Sequence, residues 1–179
     1  RCLPYLPSAL AVQWHALGAL VNLCSGETNE HRDHAVSSGA LRAIVAVMKR
    51  LSDYPGYIEV HEMAYVALQN ACYGEDENAL ARRRAADDEG ALEAVLAVMR
   101  RYKADKTASH MQGLGQATLR LLVHELPELR SKALALGAKA EWVREYGSAS
   151  QQQQQQGGGG LLSFRRAGFG HGIGTSRSV

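Results

Sequence analysis

Apolar residues in this chain recur at helical spacing. In the stretch GALRAIVAVMKRL, Gly39 to Leu51, they stand at Leu41, Ile44, Val45, Val47 and Met48. Fifty-one residues later, GALEAVLAVMRRY, Gly90 to Tyr102, places Leu92, Val95, Leu96, Val98 and Met99 in the same register. Steps of three and four residues collect on one side of an α-helix, so each stretch predicts an amphipathic helix with one packed and one solvated face.

A second pattern precedes each of these. GALVNLCSG, Gly18 to Gly26, returns as VALQNACYG, Val66 to Gly74, at an offset of 48, and more weakly as ATLRLLVHE, Ala117 to Glu125. These predict three long helices, Ser8 to Cys24, Glu59 to Tyr73 and Thr107 to His124. Shorter, more polar segments follow at Asn29 to Ser38, Asn78 to Asp88 and Pro127 to Leu136. Each runs into a glycine, Gly39, Gly90 or Gly137, the residue best able to take the left-handed conformation that closes a helix. Pro127 opens its segment where a missing N–H costs least. Third helices are then expected at Ala40 to Leu51, Ala91 to Tyr102 and Lys139 to Tyr146. Short, medium and long helices thus alternate in a unit of 48 to 51 residues. Units of this kind cannot bury their apolar faces alone and must stack.

Composition narrows the class. Leu, Ala and Val dominate while Trp and Phe number two each, which favours an all-α protein. No apolar run approaches the ~20 residues of a membrane span, and the start has no basic-then-apolar signal segment. The basic excess lies at the end: Arg165, Arg166 and Arg177 stand without acids after Gly147, leaving 17 basic against 18 acidic residues before it. A one-signed field of the kind that attracts nucleic acid is therefore not expected. Cys2, Cys24 and Cys72 are too few and too widely spaced for a disulfide framework or a zinc pattern, which fits a reducing, cytoplasmic setting. From GSASQQQQQQGGGG onward, low-complexity Gln and Gly cannot build a core, and residues 147–179 are expected to be a disordered tail.

Three helices per unit, the Gly-Ala-Leu junction, and the Ala-Leu-x-Asn motif at Ala19 to Asn22 and Ala67 to Asn70 together resemble armadillo repeats. The segment EVHEMAYVALQNACYG, Glu59 to Gly74, looks like the third helix of such a repeat. The resemblance implies that residues 1–146 form a right-handed α-solenoid of about two complete units with flanking helices. Because a stack this short would leave apolar ends, and the chain opens on Arg1, it is expected to be part of a longer array.

In armadillo proteins the outer face of the long helix lines a concave groove. On a helical wheel, Ala16, Leu17, Leu20 and Leu23 face the core, and Asn22 points away from them. The resemblance then implies that Asn22 and Asn70 hydrogen-bond the backbone of an extended peptide. Beside them the wheel sets His15, Gly18, Met63 and Val66, with His110, Leu114, Ala117 and Leu121 in the third helix and Trp14, Glu59 and Glu62 toward the edge. Gly18 and Val66 occupy the positions where nuclear-import adaptors of this family carry tryptophan, and Leu121 replaces the third Asn, so a more apolar groove is expected.

Other motifs yield to plainer accounts. HRDHAVSS, His31 to Ser38, resembles a kinase catalytic loop, but Ser38 stands where the metal-holding Asn belongs and no glycine-rich loop accompanies it. His31 and His34 lack a third ligand. Arg82 to Arg84 read as a solvated face balanced by Asp87 and Asp88, and GFGHGIG, Gly168 to Gly174, as low complexity. Cys24 and Cys72 read as buried thiols. No catalytic residue, metal or cofactor is expected, and the partner is a protein or peptide rather than a small molecule, nucleic acid or membrane. The alternative is a structural or regulatory segment of a larger protein, possibly an enzyme.

Overall fold

The computed structural model describes residues 6–26, 28–51 and 57–144. The stretch GFGHGIG and the rest of 147–179 lie outside them, as does Cys2. Among the described residues there are eight α-helices and no strand: α1 (Leu6–Cys24), α2 (Asn29–Ser37), α3 (Ala40–Leu51), α4 (Ile58–Cys72), α5 (Glu77–Asp88), α6 (Ala91–Arg101), α7 (His110–Val123) and α8 (Pro127–Ala135). The all-α class follows the sequence pattern, and the short, medium, long order holds for α2, α3 and α4, of 9, 12 and 15 residues, whereas α5 and α6, of 12 and 11 residues, are nearly equal before the longer α7. Gly39, Gly90 and Gly137 have φ of +92°, +84° and +95°, so the turn that ends each of α2, α5 and α8 rests on a residue without a Cβ. None of these helices is long and apolar enough to cross a membrane.

The long helices lie side by side, α4 between α1 and α7, while α3 and α6 pack beneath them and α2 and α5 line a flank. The apolar stripes of α3 and α6 are buried at Leu41, Ile44, Val45 and Met48 and at Leu92, Val95, Leu96, Val98 and Met99. They meet Tyr65 and Leu68 of α4 and Met111, Leu119 and Leu122 of α7 in one continuous core.

Two helix expectations require correction. The helix anticipated from Thr107 begins as a separate 3-10 turn at Lys106–Ala108, because the Asp105 carboxylate accepts from the Thr107 N–H and hydroxyl and turns the chain before α7 starts. In place of a helix from Lys139, the described residues show a single 3-10 turn at Ala140–Trp142. AEWV has too few apolar positions at helical spacing to offset the cost of nucleating a helix.

The units are joined by buried arginines, which overturns the reading of Arg82 to Arg84 as a solvated face. Arg82 and Arg83 are 3% and 1% exposed, and only Arg84 faces solvent. Arg32, inside HRDH and on α2, is also buried. Its guanidinium donates to the Cys24, Gly26 and Thr28 carbonyls at and after the end of α1, and to the Asn70 carbonyl at the end of α4. Arg83 repeats the arrangement one unit on, donating to the carbonyls of Gly74, after α4, and His124, after α7. Helix C-termini present carbonyls with no partner inside the helix and a partial negative charge, and a buried guanidinium answers both. Arg82 donates to the Tyr73 carbonyl and pairs with Asp33 of α2, while Asp87 pairs with Lys132 rather than with Arg83.

A second cationic contact recurs between successive units, at the C-terminal ends of α5 and α8. Lys49 Nζ donates to the Glu89 carbonyl at 2.7 Å, and Arg100 to the Leu136 carbonyl at 3.4 Å. Each cation stands ten residues after one unit's glycine, and each acceptor stands immediately before the next unit's glycine.

Candidate functional site

The expected groove face is a strip across α1, α4 and α7. On α1 it holds His15, Gly18 and Asn22; on α4, Glu59, Met63, Val66 and Asn70; on α7, His110, Leu114, Ala117 and Leu121. Steps of three and four residues keep each set on one helix face. His15, Asn22, Glu59, His110 and Ala117 are exposed, and Gly18, Met63, Leu114 and Leu121 are half-buried. Trp14 is 40% exposed at the edge and meets His15 edge-on, with ring centroids 5.0 Å apart.

The two asparagines do not share one environment, contrary to their equal places in the repeat. Asn22 is exposed, whereas Asn70 is 8% exposed and its Nδ2 donates to the Val21 carbonyl of α1 at 3.1 Å. One of its two amide hydrogens is therefore committed to holding α4 against α1. Val66, expected beside it as a groove contact, is buried at 3%. The reason is position: α4 is flanked by α1 and α7, which close over its middle, whereas α1 is packed from one side by α4.

Flanking polar groups are also bound between helices. The Glu62 carboxylate faces His110 Nε2 across α4 and α7. Gln69 donates to Thr118 Oγ1 at 2.8 Å. What remains available is the Asn22 amide, the His15 ring, Trp14, and the partly exposed side chains of Met63, Leu114 and Leu121.

The α1 wheel also needs correction. Leu17, Val21 and Cys24 are buried, and Leu20 packs partly against the core, but Ala16 is exposed and Leu23 is 41% exposed. The core-facing arc is centred nearer Leu17 and Val21 because α4 approaches from that side.

Burial pushes the Cys72 thiol up to about 12, and raises Cys24 too against the pull of Arg32, so neither is a ready thiolate. Among the described residues, no three His, Cys, Asp or Glu side chains come together to hold a metal ion. Asp33, between the two histidines of HRDH, is taken by Arg82 and Asn78.

The residues that sequence reasoning missed are the arginines, and a signal for them was present. RDHAVSSG, RRAADDEG and RSKALALG place Arg32, Arg83 and Arg130 seven residues before Gly39, Gly90 and Gly137, with Ala35, Ala86 and Ala133 three residues after each arginine. All three alanines are buried.

Comparison of the chain with protein-family models, with curated proteins and with solved structures finds no match in any of the three.

Proposed function

We propose that the chain is an armadillo-type interaction module, a right-handed stack of three-helix units that binds an extended segment of another protein across α1, α4 and α7. The observation that carries this reading is the free Asn22 amide, set in a strip with half-buried Met63, Leu114 and Leu121 and bordered by Trp14. A main-chain amide of a bound strand needs a donor and an acceptor, which one asparagine side chain supplies. Apolar side chains of the same strand find shallow contacts beside it, with Trp14 as an anchor. In this reading Asn70 shapes the floor and Asn22 does the holding.

The test is selection of peptides from a random displayed library on the full chain, followed by affinity measurement with Asn22→Ala. Loss of up to two hydrogen bonds predicts a weakening of about 1 to 2 kcal/mol, a factor of roughly 5 to 30 in Kd. Selection of no peptide, or equal affinity for the variant, excludes this face as the site.

A further inference from the structure

The long helices share a second stripe, distinct from the groove face, at steps of four, three and four residues. On α7 it is Met111, Gly115, Thr118 and Leu122, all buried. It faces the preceding unit: a Cβ at Gly115 would overlap Met99 of α6 and lie 3.2 Å from Tyr65 Oη of α4, and Thr118 accepts from Gln69 of α4. On α4 the stripe is Val60, Ala64, Ala67 and Ala71, between 0% and 6% exposed. There α4 packs on α1 and α3 as α7 packs on α4 and α6.

On α1 the equivalent residues are Val12, Ala16, Ala19 and Leu23, and all four are exposed, Val12 by 67%. The residue types match those of α4 almost one for one, Val-Ala-Ala-Leu against Val-Ala-Ala-Ala. Small residues in the middle of such a stripe allow close approach of another helix, as at Gly115. Nothing charged opposes that approach, because α1 from Leu6 to Cys24 contains no Asp, Glu, Lys or Arg.

The far end of the stack is built differently. The outward side of α7 carries half-buried Gln112, Gln116 and Arg120; Gln112 donates to the Met99 carbonyl, and Arg120 to the Glu141 carbonyl of the last 3-10 turn, with Val143 buried beside it. A polar outer face is how a helical stack is capped. Among the described residues that end therefore offers α1 of a second copy no apolar stripe, and head-to-tail addition of copies is disfavoured.

We propose that the stripe Val12, Ala16, Ala19 and Leu23 is a docking surface for a further three-helix repeat unit, whose long helix lies along α1 as α1 lies along α4. The occupant presents the counterpart of Leu17, Val21 and Cys24, the buried side that α1 turns inward. On docking, Asn22 comes into the situation of Asn70, with a carbonyl of the incoming long helix in the place of Val21. The stripe and the peptide face are adjacent sides of α1 that share Asn22: docking commits one of its amide hydrogens, as Asn70 is committed to Val21, and leaves the other for a bound strand. Ala16→Glu with Ala19→Glu acts on the stripe alone and Asn22→Ala on the held peptide, so failure of docking and failure of peptide binding are told apart.

The experiment joins residues 6–57 in front of Leu10 of the full chain, so that the added unit precedes α1 as α1 to α3 precede α4. Amide hydrogen exchange over Val12 to Leu23 of the original α1 is then compared with that of the unextended chain. The expected result is slowing by an order of magnitude or more, abolished by Ala16→Glu with Ala19→Glu, a pair the unextended chain tolerates at exposed positions. Leu23→Ala makes the stripe match that of α4 and controls for the joint. Protection that appears only with Leu23→Ala, or in neither extended chain, overturns the proposal. An unextended chain that sediments as a dimer and becomes monomeric with Ala19→Glu assigns the stripe to a second copy, and also overturns it.

Discussion

Arg32 Nε reaches from α2 to the Asn70 carbonyl at 3.1 Å, across 38 residues of sequence, while also donating to the Cys24 carbonyl at 3.0 Å. One guanidinium thereby closes the C-terminal ends of two adjacent long helices. Lysine offers no such fork: its ammonium is a strongly hydrated point charge and cannot hold diverging acceptors in a fixed plane.

The arginine contacts predict a clear stability effect. Arg83→Met keeps much of the stem volume but leaves the Gly74 and His124 carbonyls without their donor. Two lost charge-assisted bonds, offset in part by relief of burying a cation, predict a loss of about 2 to 4 kcal/mol. Arg83→Lys is expected to recover less than half of it. Urea denaturation followed by circular dichroism measures both, and Arg84→Met, at an exposed position, provides the comparison with a change of under about 0.5 kcal/mol.

Glycines inside the long helices divide into two kinds. A Cβ at Gly115 would overlap Met99 Cγ and sit 2.7 Å from its Sδ, so Gly115→Ala displaces the buried Met99 side chain from between α6 and α7 and is expected to cost about 1 to 3 kcal/mol. At Gly18 and Gly113 nothing lies within 4 Å of an added Cβ. There the gain in helix propensity dominates, and Gly113→Ala is expected to stabilise by about 0.5 to 1 kcal/mol. Thermal melts of the two α7 variants should shift in opposite directions.

Acid sensitivity should centre on His61. It is fully buried on α4 with Nδ1 3.0 Å from the Tyr102 hydroxyl. Burial lowers its pKa, and Arg101 adds to that, while the Met48 and Tyr57 carbonyls work against it. The unfolded chain, with an imidazole near its ordinary value of about 6.5, takes up a proton more readily than the folded one. Stability is therefore complete above about pH 6.5 and falls as the pH drops from there toward the folded value. Asp76 and Asp105, lowered mainly by hydrogen bonds from the Ala79 N–H and from Thr107, lose their contribution only further down, below about pH 4. His61→Gln should flatten the melting temperature between about pH 7 and pH 5 and leave the lower transition in place. A variant with the same slope as the parent would exclude His61 as the group responsible.

The fold is legible because its helices are written in steps of three and four and its turns in glycines with positive φ. Gly39, Gly90 and Gly137 mark the turn that ends the short helix of each unit in the amino-acid order alone. Burial is less legible where it depends on neighbours. Arg82 and Arg83 look solvated beside Asp87 and Asp88, and only the proximity of two helix C-termini explains why they are inside. Leu23 reads as core because the wheel shows where apolar residues fall but not which side has a partner. The same limitation separates Asn22 from Asn70, identical in motif but placed at the edge and in the middle of the stack.

That separation gives the sharpest prediction for the groove face. Asn70→Ala removes the donor to the Val21 carbonyl between α1 and α4, and a loss of about 1 to 2 kcal/mol in stability is expected. Asn22→Ala alters an exposed side chain, and a change within about 0.5 kcal/mol is expected. In peptide binding the order reverses, with Asn22→Ala the weaker binder once both variants are held well below their melting temperatures. Chemical denaturation and fluorescence-anisotropy titration on the same samples separate the two effects. Equal stability losses would mean that Asn22 is held by a contact like that of Asn70. Equal binding losses would mean that the second amide hydrogen of Asn70 still reaches the bound strand.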